Sequence, residues 1–144
     1  NLQCSLIETI ESFLTGIIHI HPFFYKKNIK AFKTNSTIYE DFFKRFSLKF
    51  NKLKGKDFFS NVRNSLLHET QTKKNWKIHA KNDLPYEFKN GFHYLYRNNF
   101  QDKIEEILIE YKDCIINGKD FYEIPICELR EDYIAKFNHI CKKS

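Results

Sequence analysis

The sequence predicts a mainly α-helical bundle interrupted by a small antiparallel β excursion. Three observations carry that reading. Apolar residues recur three and four apart in segments punctuated by Pro and Gly. Between Trp76 and Tyr96 the period changes to two, and an Asn90-Gly91 hairpin signal appears. The chain of 144 residues is also long enough to bury one core without a disulfide or a metal. A single domain spanning residues 1–144 follows.

The elements can be justified in order. Ser5-Leu-Ile-Glu8 has the capping-box form, and Leu6, Ile10, Phe13, Leu14 and Ile17 follow at helical spacing until Pro22. This predicts a first helix from about Ser5 to Ile20. His21 to Ser36 is aromatic and basic with weak periodicity, and is read as a loop or short irregular helix. Thr37-Ile-Tyr-Glu40 repeats the capping-box form, and the stripe Tyr39, Phe42, Phe43, Phe46, Phe50, Leu53 predicts a second helix that stops at Gly55. Asp57 caps a third helix, which turns Phe59, Val62 and Leu66 inward. Trp76, Ile78 and Ala80 then alternate with Lys77, His79 and Lys81 as a strand does, and Asn90-Gly91 turns the chain into Phe92 to Tyr96. Ile104, Ile107, Leu108, Tyr111 and Ile115 mark a helix ending at Gly118, and Ile126, Leu129, Tyr133, Phe137 and Ile140 mark a last one after Pro125.

Composition narrows the function classes. No apolar run approaches the ~20 residues needed to cross a bilayer, so no membrane role is expected. Cys4, Cys114, Cys127 and Cys141 form no C-x-x-C pair and follow no signal-peptide core, which predicts reduced thiols and a cytoplasmic location. The chain has no methionine, position 1 included, and reads as processed or trimmed. A net charge of +6 is compatible with a polyanion partner. An A/T-rich coding sequence would also supply Lys alongside the abundant Asn, Ile, Phe and Tyr, so the charge earns no more than that.

The chemically informative stretch is VRNSLLHETQTKKNW, Val62 to Trp76. A helix that only fills a core has no need of Arg63, Asn64 and His68. With about 100° per residue, Asn64 and His68 stack on one face, whereas Arg63 and His68 point about 140° apart. The helix breaks near Leu67, or the arginine arm swings round, or a second chain brings its copy alongside. The last option suits RNA cleavage by 2′-hydroxyl attack, which needs one base and one acid where each chain offers one histidine. A twofold dimer supplies two.

Arg63-Asn64-Ser65-Leu66-Leu67-His68 resembles the R-x-x-x-x-H signature of HEPN (higher eukaryotes and prokaryotes nucleotide-binding) domains, where a polar residue, often Asn, follows the arginine. Those domains are helical bundles that commonly dimerise, and many are metal-independent endoribonucleases with both chains' Arg and His lining a shared cleft. The resemblance implies that Arg63 stabilises the phosphorane, that His68 acts as base or acid, and that Asn64 orients one of them or the substrate. It implies an RNA substrate, a homodimer, no metal and no cofactor. It also leaves room for an antitoxin or regulatory protein as partner, in a toxin or defence system. In one toxin branch a tyrosine modified by a nucleotidyltransferase stands two places after the histidine; here that position is Thr70.

Other readings stand beside this one. Arg63 bridges to a carboxylate, Asn64 ends or kinks the helix and His68 satisfies a backbone carbonyl; the domain is then a catalytically silent module that binds nucleic acid or a protein, or the motif is accidental. Lys73, Lys74, Trp76 and Lys77 interleave charge with one stacking surface, as RNA-binding segments do, although a tryptophan is more often core. His19-x-His21 lacks a third metal ligand nearby, and His79, His93 and His139 follow no partner pattern. No Gly-rich phosphate loop or nucleophile-elbow motif occurs.

Overall fold

A computed structural model describes residues 2–16, 35–64 and 75–142. The described elements are α1 (Leu2–Thr15), α2 (Asn35–Arg45), α3 (Gly55–Phe58) running directly into a π-helical turn (Phe59–Arg63), β1 (Trp76–His79), β2 (Tyr86–Lys89), β3 (Phe92–Tyr96), α4 (Arg97–Asn117) and α5 (Ile126–Lys142). Among the described residues the fold is mainly helical with one three-stranded sheet.

Both helix starts inferred from capping boxes move. α1 begins by Leu2, and its Ser5 lies inside the helix, accepting the Thr9 hydroxyl on its carbonyl at 2.9 Å. Ser12 and Thr15 bond the carbonyls of Glu8 and Glu11 in the same way. A Ser/Thr-x-x-Glu pattern fits helix interiors as well as starts, because a hydroxyl can satisfy itself on the carbonyl four residues back. Thr37 is likewise internal to α2, which begins by Asn35. The expected run of the first helix through Ile17 to Ile20, and most of the segment after it, lie outside the described residues.

The aromatic stripe is buried as expected, but one helix does not carry all of it. α2 ends at Arg45, and Phe46, Phe50 and Leu53 follow in a tight turn where Asn51 and Lys52 take left-handed φ of 52° and 60°. Gly55 then begins α3 instead of stopping α2. The reason is close approach: a Cβ on Gly55 would lie 2.1 Å from the Tyr39 carbonyl oxygen, so only glycine lets α3 cross α2 here. Asp57 sits in the first turn of α3, while the capping position is Lys54, which makes no side-chain cap bond.

The core is largely aromatic. Phe58 stacks on Phe100 with ring centroids 5.6 Å apart and planes 7° apart, and Phe43 and Phe50 close the same cluster. Such pairs contribute roughly 0.5–1.5 kcal/mol each beyond the area they bury. Ile7, Ile104, Ile107 and Leu129 extend the core to α1, α4 and α5. A second tie is ionic: Glu11, 1 % exposed, pairs with Arg45, and Lys49 reaches Glu110 and Glu106 on α4 at 2.9 and 3.1 Å.

The β excursion forms a mixed sheet, which corrects the antiparallel expectation. β2 and β3 make the hairpin at Asn90-Gly91, whose φ values of 53° and 78° suit a two-residue turn. β1 pairs with the other edge of β3 in parallel, giving the order β1-β3-β2. Residues 80–91, including β2, act as the crossover of about a dozen residues that a parallel pair needs. Of the alternating set Trp76, Ile78 and Ala80, only Trp76 is buried. β3 passes straight into α4, seven residues before the expected Ile104, and α4 ends on Gly118 at φ 71° as its sequence signalled.

Candidate functional site around Arg63

Arg63 closes the π-helical turn, where the Asn64 N–H bonds the Phe59 carbonyl five residues back. In such a turn residues five apart lie one above the other, unlike in an α-helix. The turn delivers Arg63 and Asn64 to the flank of α1. The Arg63 Nη1 donates to the Asn64 side-chain oxygen at 3.1 Å, its Nη2 lies 3.6 Å from the Glu8 carboxylate, and the guanidinium carbon is 5.5 Å from the centre of the Phe59 ring. The two charged side chains keep 18 % and 26 % of their exposure, so the pair is neither sealed nor free.

Behind this pair the Tyr39 hydroxyl donates to the Cys4 carbonyl at 3.2 Å. Burial pushes up the pKa of both Cys4 and Tyr39, with Glu8 reinforcing and Arg63 opposing the shift. Cys4 is therefore a neutral packing thiol, not a thiolate nucleophile. Beside it opens a cleft of about 230 Å³, lined by Gln3, Cys4, Phe58, Val62, Ile78, Leu95, Arg97 and Phe100. Its walls are mostly apolar, and Arg97 at the start of α4 is its charged lining residue, while Arg63 lies outside the lining.

Of the catalytic set read from the sequence, Arg63 and Asn64 are in contact, while His68 lies outside the described residues. Arg63 does face a carboxylate, as the structural reading of that arginine required. Among the residues expected to hold RNA, Lys73 and Lys74 also lie outside the described residues, and Lys77 is exposed on β1. Trp76 is a correction: only 3 % exposed, it stacks on His93 with centroids 4.0 Å apart, so its ring serves the core and is not open to a base. Glu8 and Arg97 were missed by sequence reasoning. Glu8 stands four residues after Cys4, on the same face of α1, which is the one local signal that could have linked it to the site.

Among the described residues no group of three or more His, Cys, Asp or Glu could hold a metal ion, and no helix is long and apolar enough to cross a membrane. Compared with protein families, with curated proteins and with solved structures, the chain matches none.

Proposed function

We propose that the chain is a HEPN-like, metal-independent endoribonuclease that works as a homodimer, with Arg63, Asn64 and His68 of both copies facing one RNA strand. The observation that carries this reading is the restrained but accessible guanidinium: Asn64 fixes one nitrogen of Arg63 at 3.1 Å, while the other meets Glu8 only at 3.6 Å. A phosphate that displaces the long contact to Glu8 gains a charge-assisted, two-pronged partner. One imidazole takes the proton of the 2′-hydroxyl as its oxygen attacks the adjacent phosphorus. Arg63 balances the negative charge that builds on the non-bridging oxygens, and the second imidazole gives its proton to the departing 5′-oxygen. The products are a 2′,3′-cyclic phosphate and a free 5′-hydroxyl. A toxin or defence role in the cytoplasm, with an antitoxin or regulatory partner, belongs to the same proposal.

The test is cleavage of single-stranded RNA in excess EDTA. Cyclic phosphate ends are expected, with a loss of ~100-fold or more in His68→Ala and a comparable loss in Arg63→Ala while both variants stay folded. Activity that vanishes in EDTA and returns with a divalent ion would overturn the mechanism.

The Glu8 contact supports a second reading, in which Arg63 ties the π turn to α1 and the module binds without cutting. Glu8→Gln separates the two. If Arg63 serves the phosphate, Glu8→Gln retains or gains cleavage; if it is a tie, Glu8→Gln and Arg63→Ala lower stability alike and no RNA is cut.

A further inference from the structure

The side of the sheet turned away from Trp76 has a composition that the helical site does not use. Alternation along β3 puts Phe92, Tyr94 and Tyr96 on one face and His93 and Leu95 on the other. Ring contacts agree: Tyr94 lies 6.4 Å from both Phe92 and Tyr96, whereas His93 stacks on Trp76. The register sets Lys77 and His79 of β1 beside Tyr94 and Tyr96, and Glu87 and Lys89 of β2 beside Tyr94 and Phe92. An aromatic row is thus flanked by basic side chains on both neighbouring strands.

The two lysines cross that row diagonally. Lys77, opposite Tyr94, places its ammonium 4.7 Å from the centre of the Phe92 ring, and Lys89, opposite Phe92, reaches 5.1 Å from the centre of Tyr94. Both rings are partly exposed. His79 lies 5.6 Å from Tyr94 and extends the same edge, and Lys81 follows it, exposed. Among the described residues of these paired positions the one carboxylate, Glu87, is engaged, accepting from the Tyr96 hydroxyl at 2.6 Å and from Lys89 at 3.1 Å. It stands opposite Tyr94 and holds the Lys89 ammonium, so an anion drawn to Lys89 displaces one exposed ion pair.

We propose that this face binds single-stranded RNA, with two bases stacked on Phe92 and Tyr94 and the backbone held by Lys77 and Lys89. Charge complementarity and ring geometry both favour that occupant. Each ring is now capped by an ammonium, an exposed cation–π contact that is weaker than base–aromatic stacking. A base that takes the ring frees the lysine, and the lysine lies within reach of the phosphate that arrives with the base. One exchange therefore satisfies ring and lysine together, with Lys89 also trading its exposed pair with Glu87 for the phosphate. A duplex, whose bases are already stacked and paired, offers no free face to the rings. The choice of RNA over single-stranded DNA rests on the ribonuclease reading; the stacking and charge arguments do not.

The experiment is fluorescence anisotropy with a labelled 2′-O-methyl oligouridine, which 2′-hydroxyl attack cannot cut, titrated with the full chain. Phe92→Ala and Tyr94→Ala should each weaken binding by about 5-fold to 100-fold, whereas Tyr94→Phe, which keeps the ring, should bind as wild type does. Lys77→Gln and Lys89→Gln should each flatten the dependence of log affinity on log salt by about 0.7. Circular dichroism and a thermal melt confirm that each variant is folded. Should an alanine variant unfold, Tyr94→Leu replaces it with an apolar side chain of similar bulk, and weakened binding is again expected. Wild-type affinity in folded Phe92 and Tyr94 variants would overturn the proposal, as would a duplex or polyglutamate competing as well as unlabelled oligouridine. The two readings fail separately: binding that the ring variants weaken, with no cleavage by wild type, sinks the nuclease alone, and cleavage by wild type with unweakened binding in the folded ring variants sinks the sheet face alone.

Discussion

His93 shows how much a single side chain in this molecule depends on its surroundings. It lies flat on Trp76, contacts Phe88 at a 4.6 Å centroid distance, and shares a hydrogen bond of 2.8 Å between its Nδ1 and the Tyr86 hydroxyl. Burial lowers its pKa below the ordinary imidazole range, with the Asp57 carboxylate opposing in part. The folded state therefore binds fewer protons than the unfolded chain near and below pH ~6.5. The stability contributed by a neutral His93 is complete above that pH and is lost as pH falls toward the folded value. Urea midpoints measured between pH 7.5 and 5 should decline, and His93→Gln, which keeps an acceptor for Tyr86, should flatten the decline. An unchanged slope would remove His93 from the account. This matters for enzymology, because the proposed pair of His68 imidazoles should itself give a bell-shaped rate profile around neutrality. An acid limb that reverses on returning to neutral pH without refolding belongs to catalysis. None of the His93 environment was legible in the sequence, where it was one histidine among six; its partners Trp76 and Tyr86 sit on strands whose pairing is set by the whole sheet.

At the scale of elements, legibility followed how local the cause is. The end of α4 at Gly118 and the Asn90-Gly91 turn were readable because a left-handed residue and its neighbours decide them. The parallel pairing of β1 was not, since nothing within Trp76 to His79 names the edge of β3 as partner. The π-helical turn that carries Arg63 was also hidden: its wider hydrogen bonds have no local signature comparable to a cap or a turn. Gly55 was visible but misassigned, because a glycine that permits helix crossing looks like one that ends a helix. The two roles predict different mutants. Gly55→Ala drives a Cβ into the Tyr39 carbonyl and should cost about 1–3 kcal/mol, with a changed near-ultraviolet spectrum as the Phe43, Phe58 and Phe100 cluster shifts. Gly91→Ala meets nothing within 4 Å, so its cost of about 1–2 kcal/mol comes from the left-handed backbone alone and should leave that spectrum unaltered. Equal spectra for the two variants would show that α3 does not need the close approach.

The molecule as a whole is where the candidate site is completed or fails. One copy brings one Arg63 and one His68, while the proposed reaction needs a base and an acid acting on opposite sides of one phosphate. Isologous pairing of two copies supplies both from a single surface and requires no further residue type. Light scattering at micromolar concentration should accordingly give twice the 17.5 kDa chain mass. A dimer could still carry two independent sites, so mass alone does not establish a shared one. Mixing does. Wild-type and His68→Ala chains, co-expressed so that they pair at random, form all-wild-type dimers in proportion to the square of the wild-type fraction. If each cut needs both imidazoles, an equal mixture retains about a quarter of the activity per total chain, whereas independent sites retain about half. The same series with Tyr94→Ala in place of His68→Ala asks whether the strand held at one sheet reaches the cleft between the copies. A linear fall with His68→Ala would leave the endonuclease reading without its composite site, because a single histidine would then have to act as acid and base in turn.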